Sequence, residues 1–363
     1  LLMLNASIEI IKNLPINKIY IFTPFPEKDA DFFNQFNNKD YGFEVLIVKW
    51  DQMNIICAFF AKLIGLKLTD INKALSDSEY TLDISGISFV SKRGVKYLIY
   101  NVLTIYLPTI HKTKLIKFPQ SFGPIDQKYY RFLAKYFLDK CHKIFARGEL
   151  SKLELEKIGI LSTISSDLGF YYNQELNPSE YRNVVGINPS IVIEKYFSNK
   201  SIDYILFLEN LITNLADRAS KIIVFPQSYS YIQDDKVFND VQIINKLKNK
   251  ISLTNVEFLV EDYDIDSLFK IYKNIDICIT SRFHGMIMSI VSNKIPIVVG
   301  WNHKYTEVLE SMNLSRLNLD INNNLVNKIV ENYIDISSNY KEYTNIVNKN
   351  RPEINNLKNI ENY

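Results

Sequence analysis

Short apolar runs rich in β-branched and aromatic residues recur along this chain, each separated from the next by a stretch with helical spacing. Lys18–Thr23, Phe43–Val48, Tyr80–Ser85, Lys114–Pro119 and Lys143–Arg147 form one series. Val184–Pro189, Lys221–Pro226, Val256–Val260, Ile275–Thr280 and Pro296–Gly300 form a second. Runs this short and this uniformly apolar fit strands buried on both faces. Parallel neighbours need a crossover between them, so the alternation with helices predicts parallel sheets covered by helices. A polar stretch, Asn173–Arg182 with Pro178, separates the two series. A length of 363 residues exceeds what one core usually organises. Two α/β domains are therefore expected, 1–178 and 179–363.

The ends fit this scheme. Leu1, Leu4, Ile8 and Ile11 recur at helical spacing, so the chain opens inside an amphipathic helix that ends before Pro15. The strand that would precede this helix is expected upstream. The tail, Ile321–Tyr363, is Asn-rich and helical in pattern, placed either to brace the two domains or to cap the second.

Charge excludes some functions and locates others. Forty-two basic residues against 40 acidic ones leave +2, which carries no signature of a nucleic-acid binder, so an anionic substrate has to be met by local cations. Cys57, Cys141 and Cys278 are far apart in apolar surroundings, which fits reduced thiols and a cytoplasmic protein. No run reaches the ~20 apolar residues that span a bilayer; Ile55–Leu68 is short and carries Lys62 and Lys67. For Ile55–Leu68 and Tyr97–Leu107, both aromatic-rich, core packing is the favoured reading and peripheral contact with the inner face of a membrane the secondary one. Asp234-Asp235 and Glu261-Asp262 lack the spacing of a metal cage and no His/Cys cluster occurs, so neither metal nor cofactor is expected. No Gly-x-Gly-x-x-Gly follows a predicted strand, which argues against a nicotinamide enzyme.

The segment with the most chemistry is Ser281-Arg282-Phe283-His284-Gly285, a polar turn between the strand ending at Thr280 and a helix expected over Met286–Ser292. Ligands of open α/β sheets bind at the carboxyl ends of strands, beside helix N-termini. Arg282 can grip a carboxylate or phosphate, His284 can move a proton near neutral pH, and Gly285 would let the backbone approach a ligand. The alternative is structural: Arg282 paired with a protein carboxylate and His284 capping its helix. Phe118-Pro119-Gln120-Ser121 recurs as Phe225-Pro226-Gln227-Ser228, each at a predicted strand end, as two related halves would show. His111 and His142 sit among lysines and aromatics and read as surface or packing residues. His303, after the strand ending at Gly300, is a secondary candidate.

These motifs together resemble the polysaccharide pyruvyl transferase family. The resemblance rests on Ser281–Gly285 followed by Ile295–Gly300, Lys304-Tyr305 and Met312-Asn313-Leu314, and on Pro119-Gln120-Ser121-Phe122-Gly123-Pro124. It extends to Ala146-Arg147-Gly148-Glu149-Leu150-Ser151 with Leu155 and Gly159, and to Ser166-Asp167-Leu168. Its order and spacing hold over roughly residues 1 to 315. Two departures leave every charged group in place: a single Gly in Ser85–Phe89 where the family often has a pair, and Phe283 where Leu is commoner. The family's opening helix follows a Gly-rich loop with an Asn and an acidic residue, which is expected upstream of Leu1.

The resemblance implies two Rossmann-like domains facing a cleft in a GT-B-like arrangement. It also implies transfer of the pyruvyl group of phosphoenolpyruvate to a sugar or lipid-linked oligosaccharide, giving a ketal. Arg282 and His284 are then the catalytic candidates, with Arg147, Gln120, Ser121, Ser281, Gly285, Asp167 and His303 as substrate-binding candidates. Two other readings stay open: a glycosyltransferase of the same architecture using a nucleotide sugar, and a non-catalytic ligand-binding member. Glu307 and Glu310 do not show the seven-residue Glu pair of retaining glycosyltransferases.

Overall fold

The computed structural model describes residues 2–12, 14–23, 43–49, 55–59, 69–172, 180–229, 239–300 and 303–352. The chain forms two compact units, one built on Met3–Tyr171 and one on Tyr172–Glu353.

The first unit opens with α1 (Leu2–Ile11) and a parallel pair, β1 (Lys18–Thr23) and β2 (Glu44–Lys49). Ile8, Ile21 and Val45 bury one another there. Helix α2 (Asp70–Ser76) is capped by the Thr69 hydroxyl, which accepts from the Asn72 amide at 3.2 Å. A second parallel sheet follows, from β3 (Tyr80–Asp83), β4 (Ile87–Ser88), β5 (Lys114–Phe122), β6 (Lys143–Arg147) and β7 (Thr163–Ser165). Its order is β3-β5-β6-β7, with β4 pairing the far end of β5. The crossovers are α3 (Val95–Ile110), α4 (Lys128–Leu138) and α5 (Glu149–Glu156). They seal one core through Leu98 and Ile105 of α3, Tyr130, Ala134 and Leu138 of α4, and Leu155 of α5. Strand β5 outruns its expected end at Pro119 by three residues. Proline has no N–H for the ladder, and the register with β6 shifts between Lys117 and Gln120 to accommodate it.

The second unit comprises β8 (Val184–Asn188), α6 (Glu194–Ser198), α7 (Tyr204–Ala216), β9 (Lys221–Val224), α8 (Val241–Lys248), β10 (Val256–Phe258) and α9 (Ile265–Lys273). It continues with β11 (Ile277–Thr280), α10 (Phe283–Val291), β12 (Ile295–Val299), α11 (His303–Ser311), β13 (Asn318–Leu319), α12 (Leu325–Ser338) and α13 (Tyr340–Asn350). All six strands are parallel, in the order β10-β9-β8-β11-β12-β13. The chain thus winds outward from β8 in one direction, returns to β11 on the other side of β8, and winds outward again. The carboxyl ends of β8 and β11 form the topological switch point of a doubly wound sheet. Asp203 and Asp264 cap α7 and α9. The tail helices α12 and α13 pack on β12 of this unit.

Among the described residues no helix is long and apolar enough to cross a membrane. Of the two aromatic-rich segments, Tyr97–Leu107 buries Leu98, Asn101, Ile105 and Leu107 in the core, as do Ile55 and Ala58; residues 60–68 lie outside the described residues.

Candidate functional site

The switch point is held by side-chain hydrogen bonds between strand ends. The Thr280 hydroxyl donates to Asn188 Oδ1 at 2.7 Å, and the Asn188 amide donates to the Phe225 carbonyl at 3.0 Å. The Arg282 backbone N–H donates to Thr280 Oγ1 at 3.0 Å, turning the chain out of β11. The turn is shorter than expected. The Met286 amide donates to the Arg282 carbonyl at 3.1 Å, so α10 starts at Phe283, and His284 and Gly285 belong to its first turn. This corrects the expected start at Met286 and gives Gly285 a packing role. A Cβ at 285 would lie 2.5 Å from Thr280 Oγ1 and 2.6 Å from Asn188 Oδ1, so the glycine lets α10 seat on the ends of β8 and β11. The side a Cβ would occupy faces the sheet.

Arg282 is the N-cap residue of α10, and its own side chain makes no capping hydrogen bond there. Its guanidinium lies in a bidentate ion pair with the fully buried carboxylate of Asp240, Nε donating to Oδ2 at 3.0 Å and Nη2 to Oδ1. The same carboxylate accepts the backbone N–H groups of Ile191 and Ser228, both at 3.0 Å. Burial pushes the Asp240 carboxyl above its ordinary value, while the guanidinium and the two amides pull it down. Four donors on one carboxylate favour its charged form. Asp240 thus ties three loops to one point, those after β8, β9 and β11. The structural alternative for Arg282 is half met: it is paired, and the pairing fixes its plane at the edge of a pocket.

That pocket encloses about 410 Å³ and is lined by Ser190, Gln227, Ser228, Ser281, Arg282, His284 and Lys304, with Glu261, Asp262 and Tyr263 also on its wall. The Lys304 ammonium sits 4.7 Å from the centroid of the Phe283 ring and 5.4 Å from that of Tyr305. Tyr305, itself buried, donates its hydroxyl to the Ser281 carbonyl at 2.9 Å. Gln227 accepts from the Tyr272 hydroxyl at 2.7 Å. Arginine, lysine and imidazole beside a helix start make a concave site suited to an anion.

The remaining candidates form a separate constellation in the first unit. Arg147, at the end of β6, donates to Asp167 at 2.5 Å and to the Ser121 hydroxyl at 2.7 Å, with all three side chains buried. Asp167 also accepts the Gly169 amide at 2.9 Å. Gln120 is fully buried inside β5 rather than at a strand end; its amide donates to the Asp83 carbonyl at 2.7 Å and its oxygen accepts from Ser88 at 2.6 Å. The repeated tetrapeptide thus has two settings, core strand at Gln120 and pocket wall at Gln227. His303 begins α11, and its side chain lies outside the described residues.

Asp240 and the cation–π seat of Lys304 were not singled out by sequence. The repeat pointed to Gln227 and Ser228, but nothing local marks Asp240, 42 residues before the arginine it binds. Among the described residues no group of three or more His, Cys, Asp and Glu side chains is placed to hold a metal ion.

The profile of the family described as "Polysaccharide pyruvyl transferase" matches residues 1–303. No curated protein matches the chain. Among solved structures it is similar to a putative UDP-N-acetylglucosamine 2-epimerase from Listeria monocytogenes, at 8% identity and TM-score 0.56, over 95% of this chain and 94% of that one. It is similar also to the UDP-GlcNAc 2-epimerase from Neisseria meningitidis bound to UDP-GlcNAc, at 12% identity and TM-score 0.51, over 95% and 98% of the two chains. A third is the UDP-GlcNAc 2-epimerase from Methanocaldococcus jannaschii, at 12% identity and TM-score 0.53, over 93% and 89%. At these identities the likeness is one of fold, which is α/β with parallel sheets and GT-B-like.

Proposed function

The chain belongs to the polysaccharide pyruvyl transferase family, and from that premise we propose that it moves the pyruvyl group of phosphoenolpyruvate onto two hydroxyls of a sugar in a surface or cell-wall polysaccharide precursor. The observation that carries this reading is the pocket of about 410 Å³ at the switch point, where Arg282, His284 and Lys304 meet the first turn of α10. Phosphoenolpyruvate brings a carboxylate and a phosphate, and both need cations and N–H donors.

The chemistry balances without a redox partner. The methylene carbon gains a proton and becomes the methyl group; two sugar oxygens bond to the neighbouring carbon, and its bond to the phosphate oxygen breaks. Of the two hydroxyl protons, one ends on the methyl group and the other on phosphate. His284 is the group assigned to move a proton, Lys304 and the first turn of α10 face the phosphate, and Arg282, oriented by Asp240, faces the carboxylate. Arg147, Ser121 and Asp167 form a separate cluster within the first unit, in which Asp167 and Ser121 hold the Arg147 guanidinium.

Calorimetric titration with phosphoenolpyruvate and with UDP-sugars tests the reading. Saturable phosphoenolpyruvate binding that Lys304→Ala weakens at least tenfold is expected, about 1.4 kcal/mol. His284→Ala should keep the affinity and lose about 10²–10⁴-fold in turnover. Binding of a UDP-sugar without phosphoenolpyruvate would instead make the protein a nucleotide-sugar enzyme.

A further inference from the structure

Helix α4 has two dissimilar faces. Tyr130, Ala134 and Leu138, four residues apart, close the core of the first unit. A surface helix of a soluble protein normally fills its outer face with charge and small polar groups. Here that face carries Tyr129, Phe132 and Tyr136, exposed by 52%, 70% and 52%. The Phe132 and Tyr136 rings stack with centroids 6.5 Å apart and planes within 16°. The Lys140 ammonium lies 4.4 Å from the centroid of the Tyr136 ring.

Basic residues surround this ladder. Lys128, Arg131 and Lys135 rise from α4 itself, beside Lys140. The start of α3 adds Lys92, Arg93 and Lys96, with Val95 and Ile99 exposed among them. The two helices pack together, and the Tyr130 hydroxyl donates to the Val90 carbonyl at 3.1 Å, which ties the first turn of α4 to the entry of α3. Residues 90–100 and 126–140 together hold seven basic and two acidic side chains, in a chain whose net charge is only +2. One of the two acids, Asp139, is paired with Lys135 at 3.2 Å.

We propose that this face docks the protein peripherally on an anionic lipid bilayer. The aromatic ladder would lie at headgroup depth, where ring faces meet apolar chains and tyrosine hydroxyls stay wet. The surrounding cations would lie over anionic headgroups, each contributing about fivefold in affinity. The opposite face of α4 is spent on the core, so the helix lies on the membrane and does not enter it. An acidic protein would satisfy the lysines, but three exposed aromatic rings in one row favour the lipid interface.

Co-sedimentation of the full chain with vesicles of phosphatidylcholine alone, and of phosphatidylcholine with phosphatidylglycerol, tests this. Binding is expected only with phosphatidylglycerol and should fall as salt rises. The pair Lys128→Gln and Lys140→Gln should weaken it about 25-fold. The pair Phe132→Ser and Tyr136→Ser should weaken it at least about tenfold. All four side chains are exposed, so both variants should melt with the wild type, which checks that they fold. Absence of vesicle binding overturns the proposal, as does binding that neither pair of substitutions changes. A concentration-dependent dimer abolished by Phe132→Ser and Tyr136→Ser, without vesicle binding, would make the face a contact between copies.

Discussion

At the scale of single residues, the site depends on a carboxylate that never reaches the pocket. Asp240 is fully buried and satisfies Arg282 together with two backbone amides. Removing one partner of such a pair strands the other, so Asp240→Ala should cost about 3–5 kcal/mol in urea unfolding, with loss of phosphoenolpyruvate affinity. Replacing Arg282 by Lys would keep the charge but lose the bidentate geometry. Gly285→Ala is expected to destabilise by about 1–3 kcal/mol in thermal melts, because its methyl group would meet Thr280 and Asn188. Neither the Asp240 nor the Gly285 effect could be read from the Ser281–Gly285 motif, since they depend on Asp240 and Asn188, which distant segments of the chain contribute. The charge types of the motif were legible; what Arg282 binds inside the protein was not.

At the scale of elements, the strands were the most legible part. All ten apolar runs became strands, and Lys18–Thr23 and Lys143–Arg147 kept their expected limits. A buried parallel strand writes itself as an uninterrupted apolar run, and the limits are set by the turn residues beside it. The short β4, β7 and β13 carry too few residues to leave that mark. Strand β5 broke the rule in another way, continuing through Pro119 and placing Lys117 and Gln120 in the core. Lys117 Nζ lies 2.5 Å from Asp83 on the neighbouring strand. Burial alone would raise the Asp83 carboxyl, but Lys117 and the Ser85 donors hold it below its ordinary value. A carboxyl lowered by folding adds stability above its unfolded value, near pH 4, and loses it as the pH falls through the folded value. The first unit should therefore weaken on acidification below about pH 4. In the paired substitution Asp83→Leu and Lys117→Met that dependence should flatten with little change near neutrality, as pH-dependent urea curves would show.

At the scale of the whole molecule, two units with separate cores carry the two constellations, Arg147 with Asp167 in one and Arg282 with Asp240 in the other. Hydrogen exchange should show Asp240→Ala loosening the amides of the second unit while those of β5 and β6 keep their protection. Periodicity alone determined the α/β class, the parallel pairing and the presence of two strand series. These follow from local rules: an apolar run long enough for a strand, a helix to cross over, and a polar break. The strand order β10-β9-β8-β11-β12-β13, the ion pair of Asp240, and the outward turn of the α4 aromatics were decided only in three dimensions. Each depends on which distant segment occupies the neighbouring space, and residue spacing along one chain carries no record of that.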